Sequence, residues 1–249
     1  MKLENLWDKY YSKTKNKKIG LHWELIEAIT NKVDIEGKRI LEVGAGRGND
    51  SIYLSNQGAK ATVIDNSKEA IEIISQNAKN NNVKLNIVRA DALNLPFKDR
   101  SFDLVFHQGL LEHFHNPARI IQEQKRVLKD NGYILIDIPQ RYNLWTIKKN
   151  ILMVLGLWFA GRERSFTLKA LKKLLQENGF KPLYFYQRDY YPNIILKIKN
   201  LKKIEEKILK HKILPEKFWL IYNKIWLYFE KKPISRIIFK SIGVMAIKS

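Results

Sequence analysis

Arg39-Ile40-Leu41-Glu42-Val43-Gly44-Ala45-Gly46-Arg47-Gly48-Asn49 runs from a short apolar segment straight into a glycine loop, and this junction sets the fold class. Ile40, Leu41 and Val43 form the kind of run found in parallel strands covered on both faces. Gly44, Gly46 and Gly48 let the backbone turn sharply or approach a ligand where a side chain would collide. Asp50-Ser51-Ile52-Tyr53-Leu54 then reads as the first turns of a helix, so unpaired N–H groups point at whatever fills the loop. Asp65 closes a second apolar run, Ala61-Thr62-Val63-Ile64, at the distance where an acidic residue grips a ribose. The spacing Gly44-x-Gly46-x-Gly48 is not the G-x-G-x-x-G of a dinucleotide site, which disfavours a dehydrogenase. Glu42 lies two residues before the first glycine, where its carboxylate would repel a pyrophosphate and suit an ammonium or sulfonium.

Three later segments extend the pattern. Leu85-Asn86-Ile87-Val88-Arg89 reads as a third strand followed by Ala90-Asp91-Ala92-Leu93. Phe102 to His107 reads as a fourth, running into Gln108-Gly109-Leu110-Leu111-Glu112-His113-Phe114, and Arg126 to Ile136 reads as a helix end, a glycine turn and a fifth strand. With these motifs in this order the chain resembles the class I S-adenosylmethionine-dependent methyltransferases, in particular the ubiquinone and menaquinone biosynthesis type. The resemblance implies a Rossmann-like fold, S-adenosyl-L-methionine as cofactor, and a site built from Glu42, Gly44, Ala45, Gly46 and Gly48 beside the methionine part. It further implies Asp65 and Asn66 at the ribose, Asp91 and Ala92 at the adenine, and His107 and Gln108 at the strand end facing the transferable methyl group.

The coarse pass along the chain predicts an α/β fold, a doubly wound, mostly parallel seven-stranded sheet with helical inserts. Strands are expected near 38–43, 60–65, 84–89, 102–107, 132–138, 180–187 and 242–247, with helices near 49–57, 67–80 and 117–129. Thr167 is a plausible cap for the helix that follows it. In the resembling family the seventh strand is antiparallel and inserts beside the sixth. The division expected is an N-terminal helical cap over residues 1–34 and a methyltransferase domain over 35–249, with helical inserts at about 140–165 and 190–240.

Charge is unevenly placed. The formal net charge is +20; residues 1–140 hold 21 Lys+Arg against 18 Asp+Glu, whereas residues 141–249 hold 24 against 7 together with 18 of the 28 aromatic residues. Ile198, Leu201, Ile204 and Ile208 recur at helical steps among lysines, and Phe218, Trp219, Tyr222, Trp226 and Phe229 make another apolar stripe. Such faces pack on a sheet, lie on an anionic membrane surface or wrap an apolar acceptor. Lysines with interleaved aromatics also suit RNA, but no compact RNA-binding motif is visible, so nucleic acid ranks lower. Trp145, Trp158, Trp219 and Trp226 supply rings suited to an interface. There is no cysteine, hence no disulfide, thiolate metal site or cysteine nucleophile. The N-terminus has no continuous apolar stretch and the longest apolar run, Ile151 to Gly161, is too short to span a bilayer, so a cytoplasmic protein, peripheral to the membrane at most, is expected.

His107, His113 and His115 cluster near Glu112, but the segment lacks the i,i+4 pairing of a helical metal site and no second cluster adds ligands, so no metal is expected. His107 and His113 are the candidates for catalysis at the acceptor side, where a neutral imidazole takes a proton; the alternative is that both are structural. The expected reaction is direct transfer of a methyl group to an O, N or C acceptor, and the competing reading is a non-catalytic binding or membrane-surface module that keeps the nucleotide fold.

Overall fold

The computed structural model describes residues 3–17, 20–190 and 239–249. The expected excursion between the sixth and seventh strands, with its two apolar stripes and Trp219 and Trp226, lies outside the described residues.

Seven strands form one sheet: β1 (Arg39–Val43), β2 (Lys60–Asp65), β3 (Asn86–Arg89), β4 (Phe102–Gln108), β5 (Leu128–Pro139), β6 (Phe180–Tyr190) and β7 (Phe239–Lys248), in the order β3-β2-β1-β4-β5-β7-β6. The first five are parallel, and β7 runs antiparallel between β5 and β6. Strand order reverses between β1 and β4, so their carboxyl ends open the crevice where ligands bind in such sheets. The helices are α1 (Leu3–Thr14), α2 (Trp23–Thr30), α3 (Asn49–Asn56), α4 (Lys68–Asn80), α5 (Pro117–Val127), α6 (Leu144–Val154) and α7 (Leu168–Glu177).

Alternation along the strands feeds two cores. Leu41, Val43, Val105, Ile134 and Ile136 pack with Ile120 and Ile121 of α5 and Leu171 and Leu175 of α7. Ile40, Ala61, Leu104, Phe106 and Leu135 face the other way, onto Leu25 and Ile29 of α2 and Leu54 of α3. The same period of two turns Glu42 toward α3, where Ser51 donates to its Oε2 at 2.5 Å. Thr167 does cap α7, its hydroxyl accepting from the Ala170 N–H at 3.1 Å.

One junction departs from expectation. The helix expected to reach residue 129 ends at Val127, and the chain enters β5 at Leu128 with no separate glycine turn. The turn is absorbed as a register shift against β4, and Asn131 rather than Gly132 takes the left-handed conformation, at φ 59°. Gly132 is needed for space, since a Cβ there would lie 2.8 Å from the Lys129 carbonyl oxygen.

Behind the site, Arg188 of β6 clamps Asp137 of β5 with two bonds, 2.8 and 2.9 Å, and Tyr186 donates to the same carboxylate at 2.9 Å. Tyr186 reaches it only because Gly243 of the intervening β7 has no side chain; a Cβ there would meet the ring at 2.0 Å. The Asp137 carbonyl in turn accepts the Gly109 N–H at 2.9 Å, anchoring the loop that follows β4.

Candidate functional site

The glycine loop between β1 and α3 is built from three left-handed residues, Gly44, Gly46 and Gly48, at φ 68°, 58° and 68°, a conformation that L side chains rarely adopt. Ala45 donates its N–H to the Ile64 carbonyl and Gly46 donates to Asp65 Oδ2, both at 2.9 Å, which fastens the loop to the end of β2. Asp65 Oδ1 also accepts the Ser67 N–H at 2.9 Å. Burial leaves the Asp65 carboxyl raised overall, and the N–H groups of Ser67, Gly46 and Asn66 only partly oppose it. A carboxylate offers about four lone-pair sites, so capacity remains beyond these contacts.

Two recesses flank the loop. The first, about 320 Å³, opens over the carboxyl ends of β2, β3 and β4, with Asp65, Asn66, Asp91 and Ala92 on one side and Gln108, Leu110 and His113 on the other. The second, about 230 Å³, lies over Glu42 and the whole loop from Gly44 to Asp50. Gly44 and Gln108 line both, so the two are neighbouring parts of one crevice.

Most of the residues singled out from the sequence meet here. Glu42, Gly44, Ala45, Gly46, Gly48, Asp65, Asn66, Asp91, Ala92, Gln108 and His113 all line the crevice. Asp91 keeps an exposed carboxylate at the end of β3, turned back onto the Leu93 N–H at 2.9 Å. Glu42 is buried, and burial with the nearby Asp50 pushes its carboxyl up to about 8.

His107 is not brought to the crevice. It is fully buried, lines neither recess, and burial pushes its imidazole down to about 3. Alternation explains the correction: with Gln108 opening on the crevice, its neighbour His107 points to the opposite face of the sheet. His115, in the loop before α5, lines neither recess. Among the described residues, no group of three or more His, Asp or Glu is arranged to hold a metal ion.

Three features escaped the sequence reading. The first is α1, expected only as part of an N-terminal helical cap. Trp7 and Tyr11 instead roof the crevice, with the Tyr11 hydroxyl so close above Gly46 that a Cβ there would lie 2.6 Å from it. The second is His22, whose Nδ1 lies 2.6 Å from Asp50 Oδ2 at the edge of the second recess. The third is Glu163, a buried carboxylate after α6 that takes Lys149 Nζ at 2.8 Å and Trp158 Nε1 at 2.9 Å. No local motif marks these residues, because each depends on a partner brought from another element.

Residues 41–136 match the family described as methyltransferase domain. The chain is 34% identical over 116 residues to phthiotriol/phenolphthiotriol dimycocerosates methyltransferase 1 of Mycobacterium ulcerans, covering 46% of this chain and 42% of that one. It is 34% identical over 124 residues to the fatty-acid O-methyltransferase of Mycolicibacterium smegmatis, covering 49% and 44%. The matched stretch thus spans less than half the length of these relatives. A ubiquinone biosynthesis O-methyltransferase of Haemophilus ducreyi is 29% identical over 192 residues, 74% of this chain and 73% of that one. Among solved structures, phosphoethanolamine N-methyltransferase 2 of Haemonchus contortus, in complex with S-adenosyl-L-methionine, superposes with a TM-score of 0.66 at 16% identity over 100% of this chain and 60% of that one, a likeness of fold.

Proposed function

Because the chain carries a class I S-adenosylmethionine-dependent methyltransferase domain, we propose that it transfers the cofactor's methyl group to an apolar O–H, N–H or C acceptor presented at the α1 and α6 side of the crevice. The observation that carries this reading is the single crevice running from Asp91 and Asp65, across Gly44 and Gln108, to Glu42.

The residues present fit the cofactor. Ala92, Leu93, Leu110 and Phe114 offer apolar walls for a flat base beside the Asp91 carboxylate, and Asp65 keeps acceptor capacity for two ribose hydroxyls. A side chain at Gly46 would strike the Tyr11 hydroxyl that closes over the loop, and an ammonium or sulfonium in the second recess would draw the buried, protonated Glu42 carboxyl into its charged form. When bound, S-adenosylmethionine supplies an already activated methyl group on a positively charged sulfur. The chain's own work is then to align the acceptor, to exclude water through the Trp7 and Tyr11 roof, and to take a proton at His113 when the acceptor carries one.

An apolar acceptor is supported by the surface around the entrance. Ile147, Ile151, Val154 and Leu155 lie exposed on one side of α6, followed by exposed Leu157 and Phe159, and Phe159 stacks on Tyr10 of α1 with ring centroids 5.2 Å apart. Relatives named for a fatty acid and for ubiquinone biosynthesis point the same way.

Calorimetry tests the reading. S-adenosylmethionine and its demethylated product should bind and NAD should bind weakly, while Gly46→Val should abolish binding in a chain that keeps its fold. Tighter binding of NAD, or an unchanged affinity in a folded Gly46→Val protein, would refute it.

A further inference from the structure

On the reading that this site methylates an acceptor, we propose that Glu163, locked in place by Lys149 and Trp158, is the positioning residue that makes His113 the base for acceptors bearing an un-ionised hydroxyl. His113 lies in the short turn after β4, its side chain 7% exposed, and it lines the larger recess. Its Nδ1 is buried without a hydrogen-bond partner and faces Glu163 Oε1 at 3.7 Å, just beyond bonding distance. A buried, unpartnered ring nitrogen aimed at a carboxylate costs free energy in the resting protein, and protonation of the ring relieves that cost by turning the contact into a charge-assisted bond.

The carboxylate cannot turn away. Lys149 Nζ holds Oε2 at 2.8 Å and Trp158 Nε1 donates to Oε1 at 2.9 Å, with Lys149 1% and Glu163 6% exposed. Lys149 Nζ at this distance offsets the carboxylate charge, so the pair is neutral until His113 gains a proton. Burial is the largest influence on His113 and lowers its proton affinity; Glu163 and the Gly109 backbone raise it, and Lys149 lowers it. From α1 the ring meets the uncharged Trp7, edge-on at 5.1 Å. His113 is thus neutral at rest and ready to accept.

In the step assigned, the acceptor oxygen bonds the methyl carbon as the carbon–sulfur bond breaks and its electron pair stays on sulfur. With the single proton of the neutral ring on Nδ1, facing Glu163, the hydroxyl proton passes to the free His113 Nε2, the imidazolium closes on Glu163, and the proton then leaves to solvent. An acceptor that arrives as a carboxylate needs no such base. The pair therefore selects for phenol-like or alcohol acceptors, a narrower class than the methyltransferase reading requires.

Two measurements test this with the full chain. The first needs no turnover: an NMR titration of the imidazole signals, with the His113 signal assigned by its loss in His113→Asn, should show the His113 pKa falling in Glu163→Gln by about one unit or more. An unchanged pKa would overturn the proposal. The second compares 4-octylcatechol with oleate as acceptors. Glu163→Gln should lower kcat on the catechol by about tenfold to a hundredfold, within the range of general-base catalysis, and move the limb of the pH profile to lower pH, with cofactor affinity and turnover of oleate near wild type. Glu163→Asp, which keeps the charge, should recover part of the loss. Equal losses on both acceptors, or a loss of cofactor affinity alone, would assign Glu163 to structure and overturn its role. Failure of the wild-type chain to bind S-adenosylmethionine at all would instead strike at the methyltransferase reading, while the NMR result still decides the pairing.

Discussion

Glu42 shows how one buried carboxyl links the crevice to pH. Burial first and Asp50 second push it up from 4.5 to about 8, and the Ser51 hydrogen bonds only partly oppose them. Between those values the folded chain holds a proton that the unfolded chain has released. The stability contributed is therefore full below about pH 4.5 and is lost as pH rises through about 8. Glu42→Gln keeps the neutral shape and removes the titration, so the melting temperature of the wild type should fall relative to the variant between pH 5 and pH 8. Parallel curves would mean that the carboxylate is already ionised in the fold. The position of Glu42 at the strand end was legible from the sequence, since it follows from counting back from Gly44. Its burial was not, because that depends on α3 bringing Ser51 and Asp50 against it. His107 shows the same limit, for one step of alternation separates it from Gln108 and reverses its surroundings.

Among the elements, the inner strands were the most legible because they are short runs rich in apolar residues; Asp65 closes β2 as expected, whereas β4 runs one residue past the expected end, to Gln108. The helix α1 was legible as a helix but not as a roof, since its placement rests on contacts across long stretches of chain. Asp8 Oδ1 accepts from Ser67 Oγ at 2.5 Å, and the Arg47 guanidinium binds the carbonyl oxygens of Thr14 and Lys15. One strap thus ties α1 beside the end of β2 and the other ties it to the glycine loop itself. Ser67 also caps α4, accepting the Ala70 N–H at 3.2 Å, so the Asp8 contact joins the roof to a rigid part of the fold. Asp8→Ala should loosen α1 and leave the sheet intact. Hydrogen exchange should speed up over residues 3–14 and cofactor dissociation should quicken, with a global stability change of about 0.5–1.5 kcal/mol, the range of one net hydrogen bond. Unaltered exchange across α1 would show that the Arg47 strap and the aromatic contacts of Trp7 and Tyr10 with Phe159 hold the roof without Asp8.

For the whole molecule, the question is what the charge and the apolar face of α6 do together. At and just after the end of α6, Val154 and Leu157 are 87% and 69% exposed, and Arg141, Lys148, Arg162 and Arg164 are exposed in the same stretch. No helix among the described residues is long and apolar enough to cross a membrane, so any attachment through this face would be peripheral. Apolar side chains at the interface and cations beside anionic headgroups act additively, with each cation worth about 1 kcal/mol near such a surface. The second contribution is screened within a Debye length, about 10 Å at 0.1 M salt, whereas the first is not. Co-sedimentation with liposomes should therefore show binding to anionic vesicles at low salt, weaker binding at high salt, and little binding to neutral vesicles. Val154→Asp with Leu155→Asp should remove binding at both salt concentrations while leaving cofactor affinity unchanged, because neither residue lines the crevice. If the wild type ignores anionic vesicles at low salt and methylates a water-soluble acceptor at full rate, the α6 face serves as the wall of a soluble substrate site and not as a membrane contact.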